Sequence, residues 1–334
     1  MIITFYLALA SILLTLFIFY FLGEQAYNII RAIYLKLVGK KIYPRPVYNE
    51  LMIPKIDYGG DIGIQNNPIS VAQDAKKYYE LFKDGKIDNK QYFLNCIDWL
   101  TNNVSFINGL PFWEYQFEYS KYNMKVPWRS GMAQGRVLQA LVLAYKETGN
   151  QDYYDFGSKI IEGFSLTIDQ KGITRPEGID MWWYEEYAHP QGVNSKVLNG
   201  MIITLMGIWD FYEVSQSAKA KDVFDKGVKA VKASLPLYDK IDGSYYDLVG
   251  TISSSWYHQF HIDLLKYLYK ITNKQIFKDF AVKWESNPPR KPGFWEKWFS
   301  RKSKRSFKIV ALAIAIIFSV IFFILLAIHY YFLV

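Results

Sequence analysis

In the stretch MWWYEEYAHP, residues 181–190, two carboxylates stand between two phenols: Glu185 and Glu186 lie between Tyr184 and Tyr187. A carboxylate beside a phenol is an acid–base couple, because each group can hold a proton that the other gives up. Groups of the same kind recur further along. SYYDL carries Tyr245 and Tyr246, and WYHQFH carries Tyr257, His258 and His261. Arg129, Arg175 and Asn199 add cationic and amide groups.

Four chemistries can be set against these residues. A serine hydrolase needs its nucleophile on a G-x-S-x-G turn, and SGMAQG at 130–135 does not match it. A zinc site would have His258 and His261 but no H-E-x-x-H pattern and no further ligand, so no metal is expected. A glycine-rich phosphate loop is absent, and no cofactor is called for. Two-carboxylate glycoside hydrolysis would need a second acid beside Glu186, with Asp180 and Asp247 the candidates. The remaining chemistry removes a proton next to a carboxylate, with Tyr and Glu as acid and base. A phenol of ordinary pKa about 10 serves as a base where cations or hydrogen bonds stabilise the phenolate. The residues alone leave the last two open. Aromatics form 18% of the chain, Tyr most often, and Tyr and Trp suit sugar sites by joining an apolar face to a polar edge.

What must position these groups is a repeat. Four stretches each hold a long apolar-periodic segment, a polar turn and a second segment with an early aromatic. Their first segments begin near Pro68, Gly131, Leu198 and Tyr257, roughly 60 residues apart. Val137, Leu138, Leu141, Val142 and Tyr145 recur at helical spacing, as do Ile202, Leu205, Met206 and Trp209. Asn67-Pro68 reads as a helix start and Gly149-Asn150 as a stop. The spacing predicts an all-α domain of about four helical hairpins stacked side by side, as a closed α/α toroid or an open solenoid. The connections 104–130, 169–196 and 236–258 are long, aromatic and acid-bearing. In a ring of hairpins they fall on one end and converge over one mouth, where a site belongs.

The order WYEEY (183–187), VLNG (197–200), LPLYD (235–239), YYDL (245–248) and WYHQFHI (256–262), with MAQG at 132–135, resembles the C-terminal domain of D-glucuronyl C5-epimerases. These are the heparan sulfate and heparosan epimerases. The likeness runs from about Trp128 to Trp284, and more weakly back to about Tyr58. It implies an α/α toroid and inversion of D-glucuronate to L-iduronate at C5. It implies catalytic Glu186 and Tyr187 from the EEY motif, Tyr246 from YDL and Tyr257 from YH, with Tyr187 and Tyr257 as the opposed pair. Substrate contacts are expected from Asn199, Arg129, Arg175, His258, Trp183 and Gln134. The family's arginine after YDL is replaced here by Val249 and Gly250, so Arg129 or Arg175 is expected to take its carboxylate contact. The rival readings are a uronate lyase or glycoside hydrolase, and a sugar-binding membrane protein without catalysis. Plain structural readings stand beside these. Glu185 reads as a solvated or bridging acid, His258 and His261 as packing groups, and Tyr245 as structural. Trp183 and Tyr184 read as core or sugar-stacking, and His189 carries no signal.

The termini are of another kind. Residues 1–22 and 309–331 hold no charge and are read as transmembrane helices. Residues 23–57 and 288–308 are read as basic linkers around a catalytic domain at 58–287. Residues 23–45 and 290–308 together carry a net +11, against −3 for residues 46–289. The basic charge therefore belongs to lipid headgroups and not to nucleic acid. By the positive-inside rule both flanks, and the domain between them, are expected on the cytoplasmic face. The family's N-terminal β-domain has no counterpart in this sequence, and an apolar segment stands there instead. Expected partners are the bilayer, a uronate polysaccharide or lipid-linked glycan, and a second copy in a homodimer. A lone Cys96 forms no internal disulfide.

Overall fold

The computed structural model describes residues 6–17, 33, 44–87, 90–289 and 304–333. The chain divides into two units: Tyr43–Arg290, and the terminal segments 1–42 with 291–334.

In the terminal unit, the described helical stretch Tyr6–Phe17 (α1) is apolar and covers fewer residues than a bilayer span needs at about 1.5 Å per residue. The hydroxyls of Ser11 and Thr15 donate back to the Leu7 and Ser11 carbonyls at 2.7 and 2.6 Å, which satisfies both without water. The sequence expects a span over 1–22, of which 1–5 and 18–22 lie outside the described residues. One spanning helix is therefore described, not two. It lies within the C-terminal helix Lys304–Leu333, where Ile314–Tyr331 is long and apolar enough to cross a bilayer. Most of both basic linkers also falls outside the described residues.

The larger unit opens with a three-stranded antiparallel sheet, Arg45–Tyr48, Pro54–Asp57 and Ile64–Asn66. Its first two strands lie in sequence read as linker. The Arg45–Asp57 ion pair at 3.1 Å ties these two strands together, and the second packs on the first helix of the domain. Four helical hairpins follow: α2 (Pro68–Lys83) with α3 (Gln91–Asn102), α4 (Gly131–Thr148) with α5 (Gln151–Gly163), α6 (Leu198–Ser215) with α7 (Ala218–Ser234), and α8 (Ser255–Thr272) with α9 (Gln275–Ser286). The starts follow from caps. Asn67, Ser130, Ser217 and Ser254 each accept from a first-turn amide. The Ser254 cap sets α8 two residues before Tyr257. Gly149, at φ 69°, ends α4 in a left-handed turn that costs glycine little.

The first helix of each pair forms an inner row, with α2 packed on α4, α4 on α6 and α6 on α8. Each second helix lies behind its own partner. The tightest joint is between α4 and α6, where Gly135 and Gly207 let the backbones meet. A β-carbon at Gly207 would fall 1.9 Å from the Gly135 carbonyl oxygen. Inner helices α4 and α6 are apolar nearly all round and feed one continuous core. Outer helices bury one face only. This is the order of elements an α/α toroid uses.

The three long connections are folded, not slack. They hold the antiparallel pairs Glu114–Tyr115 with Trp128–Arg129, Thr174–Gly178 with Met181–Tyr184, and Asp239–Lys240 with Gly243–Ser244. Backbone bonds sew them together. Arg129 and Ala188 exchange two, Val193 donates to Tyr122, and Leu248 donates to Ser195.

Candidate active site

The sewn connections enclose a cleft of about 350 Å³. The first supplies Tyr119, Lys121 and Tyr122, the second Tyr187, and the third Tyr246 and Tyr257 with Thr251, Ile252 and Ser254. Its floor is an aromatic cluster in which Tyr115 stacks on Trp128 with ring centres 3.9 Å apart. Tyr187 is wedged among Tyr122, Tyr119 and Trp128, at 4.6, 5.2 and 5.6 Å between ring centres. Tyr246 and Tyr257 meet edge to face at 4.7 Å. Tyr257 sits in the first turn of α8 with 36% of its surface exposed, so one side of this pair faces solvent.

Glu186 leaves the end of strand Met181–Tyr184 and is buried. Its Oε2 rests against Gly200 in the first turn of α6 and makes no hydrogen bond. Val197, the N-cap of α6, offers no side-chain cap, so the carboxylate meets the positive end of an uncapped helix. Burial nevertheless pushes the Glu186 carboxyl up to about 7, against the pull of a hydrogen bond from Tyr187 and the charge of Lys121. The phenols move the same way. Burial first, then the charge of Glu186, holds Tyr187 well above the usual phenol range and raises Tyr246, Tyr257 and Tyr119. At neutral pH the cleft therefore holds protonated phenols around one acid poised to gain or lose a proton.

Glu185 is also buried and is not solvated. It bridges, accepting from Ser195 Oγ at 3.3 Å and the Lys196 amide at 3.2 Å, and pairs with Arg175 at 3.6 Å. Burial pushes its carboxyl up to about 7 despite Arg175 and these donors.

The other expected contacts are dispersed. Asn199 is buried in the first turn of α6, beside Gly200, and its Oδ1 makes no hydrogen bond. Arg129 is buried and paired with Glu114, its cross-strand neighbour, away from the cleft lining. Arg175 is turned to Glu185. Trp183 is core, stacked on Tyr238 at 6.2 Å. Gln134 is buried and donates to the Pro111 carbonyl at 3.0 Å. His258 braces the fold: Nδ1 lies 2.9 Å from Ser244 Oγ, and Nε2 lies 2.9 Å from the Trp284 carbonyl. Neither nitrogen is left for a ligand. His261 is buried, and burial lowers its imidazole to about 3.

Tyr119, Lys121 and Tyr122 were not singled out from the sequence. Their mark there is YSKY at 119–122, a cation between aromatics inside a long connection. Among the described residues no group of three His, Cys, Asp or Glu side chains is placed to hold a metal ion.

Residues 108–286 match the family described as D-glucuronyl C5-epimerase C-terminus. The chain belongs to that family. It is thereby a carbohydrate epimerase, an isomerase by class. A D-glucuronyl C5-epimerase of Caenorhabditis elegans is 30% identical over 215 residues, 58% of this chain and 34% of that protein, so the chain spans about a third of that relative's length. An uncharacterized protein of Methanocaldococcus jannaschii is 29% identical over 268 residues, 72% of this chain and 85% of that one. Among solved structures, the cellobiose 2-epimerase of Bacillus thermoamylovorans is 12% identical with a TM-score of 0.45, over 77% of each chain.

Proposed function

We propose that this epimerase inverts C5 of D-glucuronate residues in a glycan to give L-iduronate, from a toroid-type domain anchored in a membrane. The observation that carries the reading is that Tyr187, Tyr246 and Tyr257, from two separate connections, line one cleft with Glu186 buried against Tyr187. Inversion takes hydrogen from one face of the sugar and returns it on the other, so two groups must flank the ring.

The Tyr187 oxygen takes the C5 proton while its own hydroxyl proton passes to Glu186. The electron pair left at C5 spreads into the substrate carboxylate as an enediolate. Tyr246 donates a hydrogen bond to that charge, a contact of the kind that contributes about 3 kcal/mol in a transition state. Tyr257 gives its hydroxyl proton to C5 from the other face, and its oxygen recovers a proton from water on its exposed side. Glu186 then releases its proton to solvent.

Two-carboxylate hydrolysis fits less well. Asp180 is exposed and paired with Lys229 at 3.6 Å, and Asp247 is engaged by Tyr122, Lys121 and two amides. Product analysis tests the choice. The full chain is incubated with a glucuronate glycan, which is then digested to its uronates. Iduronate is expected; unsaturated uronate, new reducing ends or unchanged glucuronate would refute the reading.

The apolar stretch Ile314–Tyr331 supports anchoring, and the basic flanks favour a domain on the cytoplasmic face. The full chain is then expected to stay with membranes through an alkaline carbonate wash. In sealed, right-side-out vesicles residues 46–289 should resist protease, and cleavage there would reverse the assigned face.

A further inference from the structure

We propose that Lys121 binds the carboxylate of the substrate uronate, held for that task by Asp247. The inference rests on the uronate reading above and names the residue that recognises the acid group.

Of the residues that line the cleft, Lys121 carries the positive charge; the others are phenols, hydroxyls and one isoleucine. Its ammonium stands 4.5 Å from the ring centre of Tyr122 and 5.1 Å from that of Tyr246. Tyr246 in turn touches Tyr257. The charge is thus beside the phenols assigned to the enediolate and the second proton. A cation over two aromatic faces is partly desolvated and attracts an anion more strongly than it would in open water.

The way Lys121 is held fits this use. Its ammonium donates to the Tyr122 hydroxyl at 2.6 Å and pairs with Asp247 at 3.4 Å. Asp247 is wholly buried, whereas the Lys121 side chain keeps 40% of its surface open. Asp247 also accepts from the Tyr122 hydroxyl at 2.8 Å and from the Thr251 and Val249 amides at 2.8 and 3.2 Å. Those three donors already balance much of the Asp247 charge. The ammonium is steered from behind and is not neutralised, with an open side left toward the cleft.

The two arginines that the sequence offers for this contact are spent elsewhere. Arg129 is buried on Glu114, and Arg175 is turned to Glu185. The position after YDL holds Val249 and Gly250, and Val249 serves Asp247 through its amide. A uronate entering the cleft still presents a negative carboxylate next to the proton to be removed. An uncompensated anion there would oppose a second negative charge forming at C5. Lys121 supplies the counter-charge from a different connection of the fold.

The test compares binding of two probes by the full chain: a glucuronate glycan and the same glycan with its carboxyl groups reduced to alcohols. Wild type is expected to favour the uronate by at least tenfold, and Lys121→Arg to keep most of that preference. Lys121→Gln keeps hydrogen-bond donors for Tyr122 and Asp247 but no charge, and is expected to lose the preference. Equal binding of both probes by wild type would overturn the proposal without any variant. So would a Lys121→Gln protein that keeps the wild-type preference. Hydrogen exchange at C5 by wild type is read separately, so loss of that exchange would strike the epimerase reading and leave the carboxylate contact standing or falling on binding alone.

Discussion

A β-carbon at Gly200 would stand 2.2 Å from Oε2 of Glu186. Glycine at the start of α6 is therefore a requirement of the carboxylate and not of the helix. It explains why a glycine, Gly200, stands in the first turn of this helix, 14 residues after the acid. Gly200→Ala must displace Glu186 from Tyr187. Misplacing a reacting group by about 1 Å costs about 100-fold in rate. A loss of that size in kcat is expected, with helix content by circular dichroism unchanged. Wild-type kcat in Gly200→Ala would show that Glu186 does not need its place.

Tyr187→Phe and Tyr257→Phe remove one oxygen each from opposite sides of the proposed sugar. Each is expected to lower kcat about 100-fold to 10,000-fold while leaving glycan affinity within a few-fold. Single-turnover assays with binding measured in parallel check this. A variant that keeps turnover is not one of the pair, and a protein that loses affinity without ever turning over is a binder.

Legibility of these parts in the sequence differs for physical reasons. The inner helices are apolar at helical spacing, and α2 and α4 open on capping side chains, so the starts at Pro68, Gly131 and Leu198 are plain in the chain. Glu186 and Tyr187 are legible through the resemblance of WYEEY to the family's motif, since an acid beside a phenol also occurs at Glu114-Tyr115 and Glu118-Tyr119. Lys121 is different. What makes it matter is Asp247, 126 positions away, and only the sewing of two connections brings them together. Arg129 looked available because its partner Glu114 is set by antiparallel register, which no local pattern reveals. His258 reads in the sequence both as a packing group and as a substrate contact, because its brace, a carbonyl on α9, leaves no local mark. Trp183 is equally suited by type to core and to sugar, and strand burial decides for core.

Glu186 gives the reaction its acid limb. Its carboxyl, raised to about 7 by burial, must be ionised to receive the Tyr187 proton. Activity is therefore expected to fall as pH drops through about 7, seen in a kcat/KM profile between pH 5 and 9. Lys121 lowers the same carboxyl, so Lys121→Gln should move the limb to higher pH. Glu186→Gln should abolish the limb together with most of the activity. A flat wild-type profile across pH 7 would remove Glu186 from the mechanism.

Glu185 predicts a stability effect of defined sign. Its folded carboxyl is raised from 4.5 to about 7, so the folded state holds this proton more tightly than the unfolded chain does. The stabilisation is complete below about pH 4.5 and is lost as pH rises through 7, amounting to about 3 kcal/mol. Glu185→Gln cannot ionise. The Tm of wild type relative to the variant should fall by several degrees between pH 5 and 8. The comparison must be with the variant, because His261, held neutral by burial, destabilises the fold in the other direction as pH falls below about 6.5. Parallel Tm curves would mean that Glu185 stays ionised in the core.

The most direct test of the account is hydrogen exchange at C5. The full chain is incubated with a glucuronate glycan in deuterated water, and the recovered uronates are read by nuclear magnetic resonance and ultraviolet absorbance. Because Tyr257 recovers its proton from solvent, deuterium is predicted at C5 of the iduronate product, with no absorbance from a double bond. Protium retained at C5, or unsaturated uronate in its place, would contradict removal of the C5 proton by Tyr187 and return of a solvent-derived one by Tyr257.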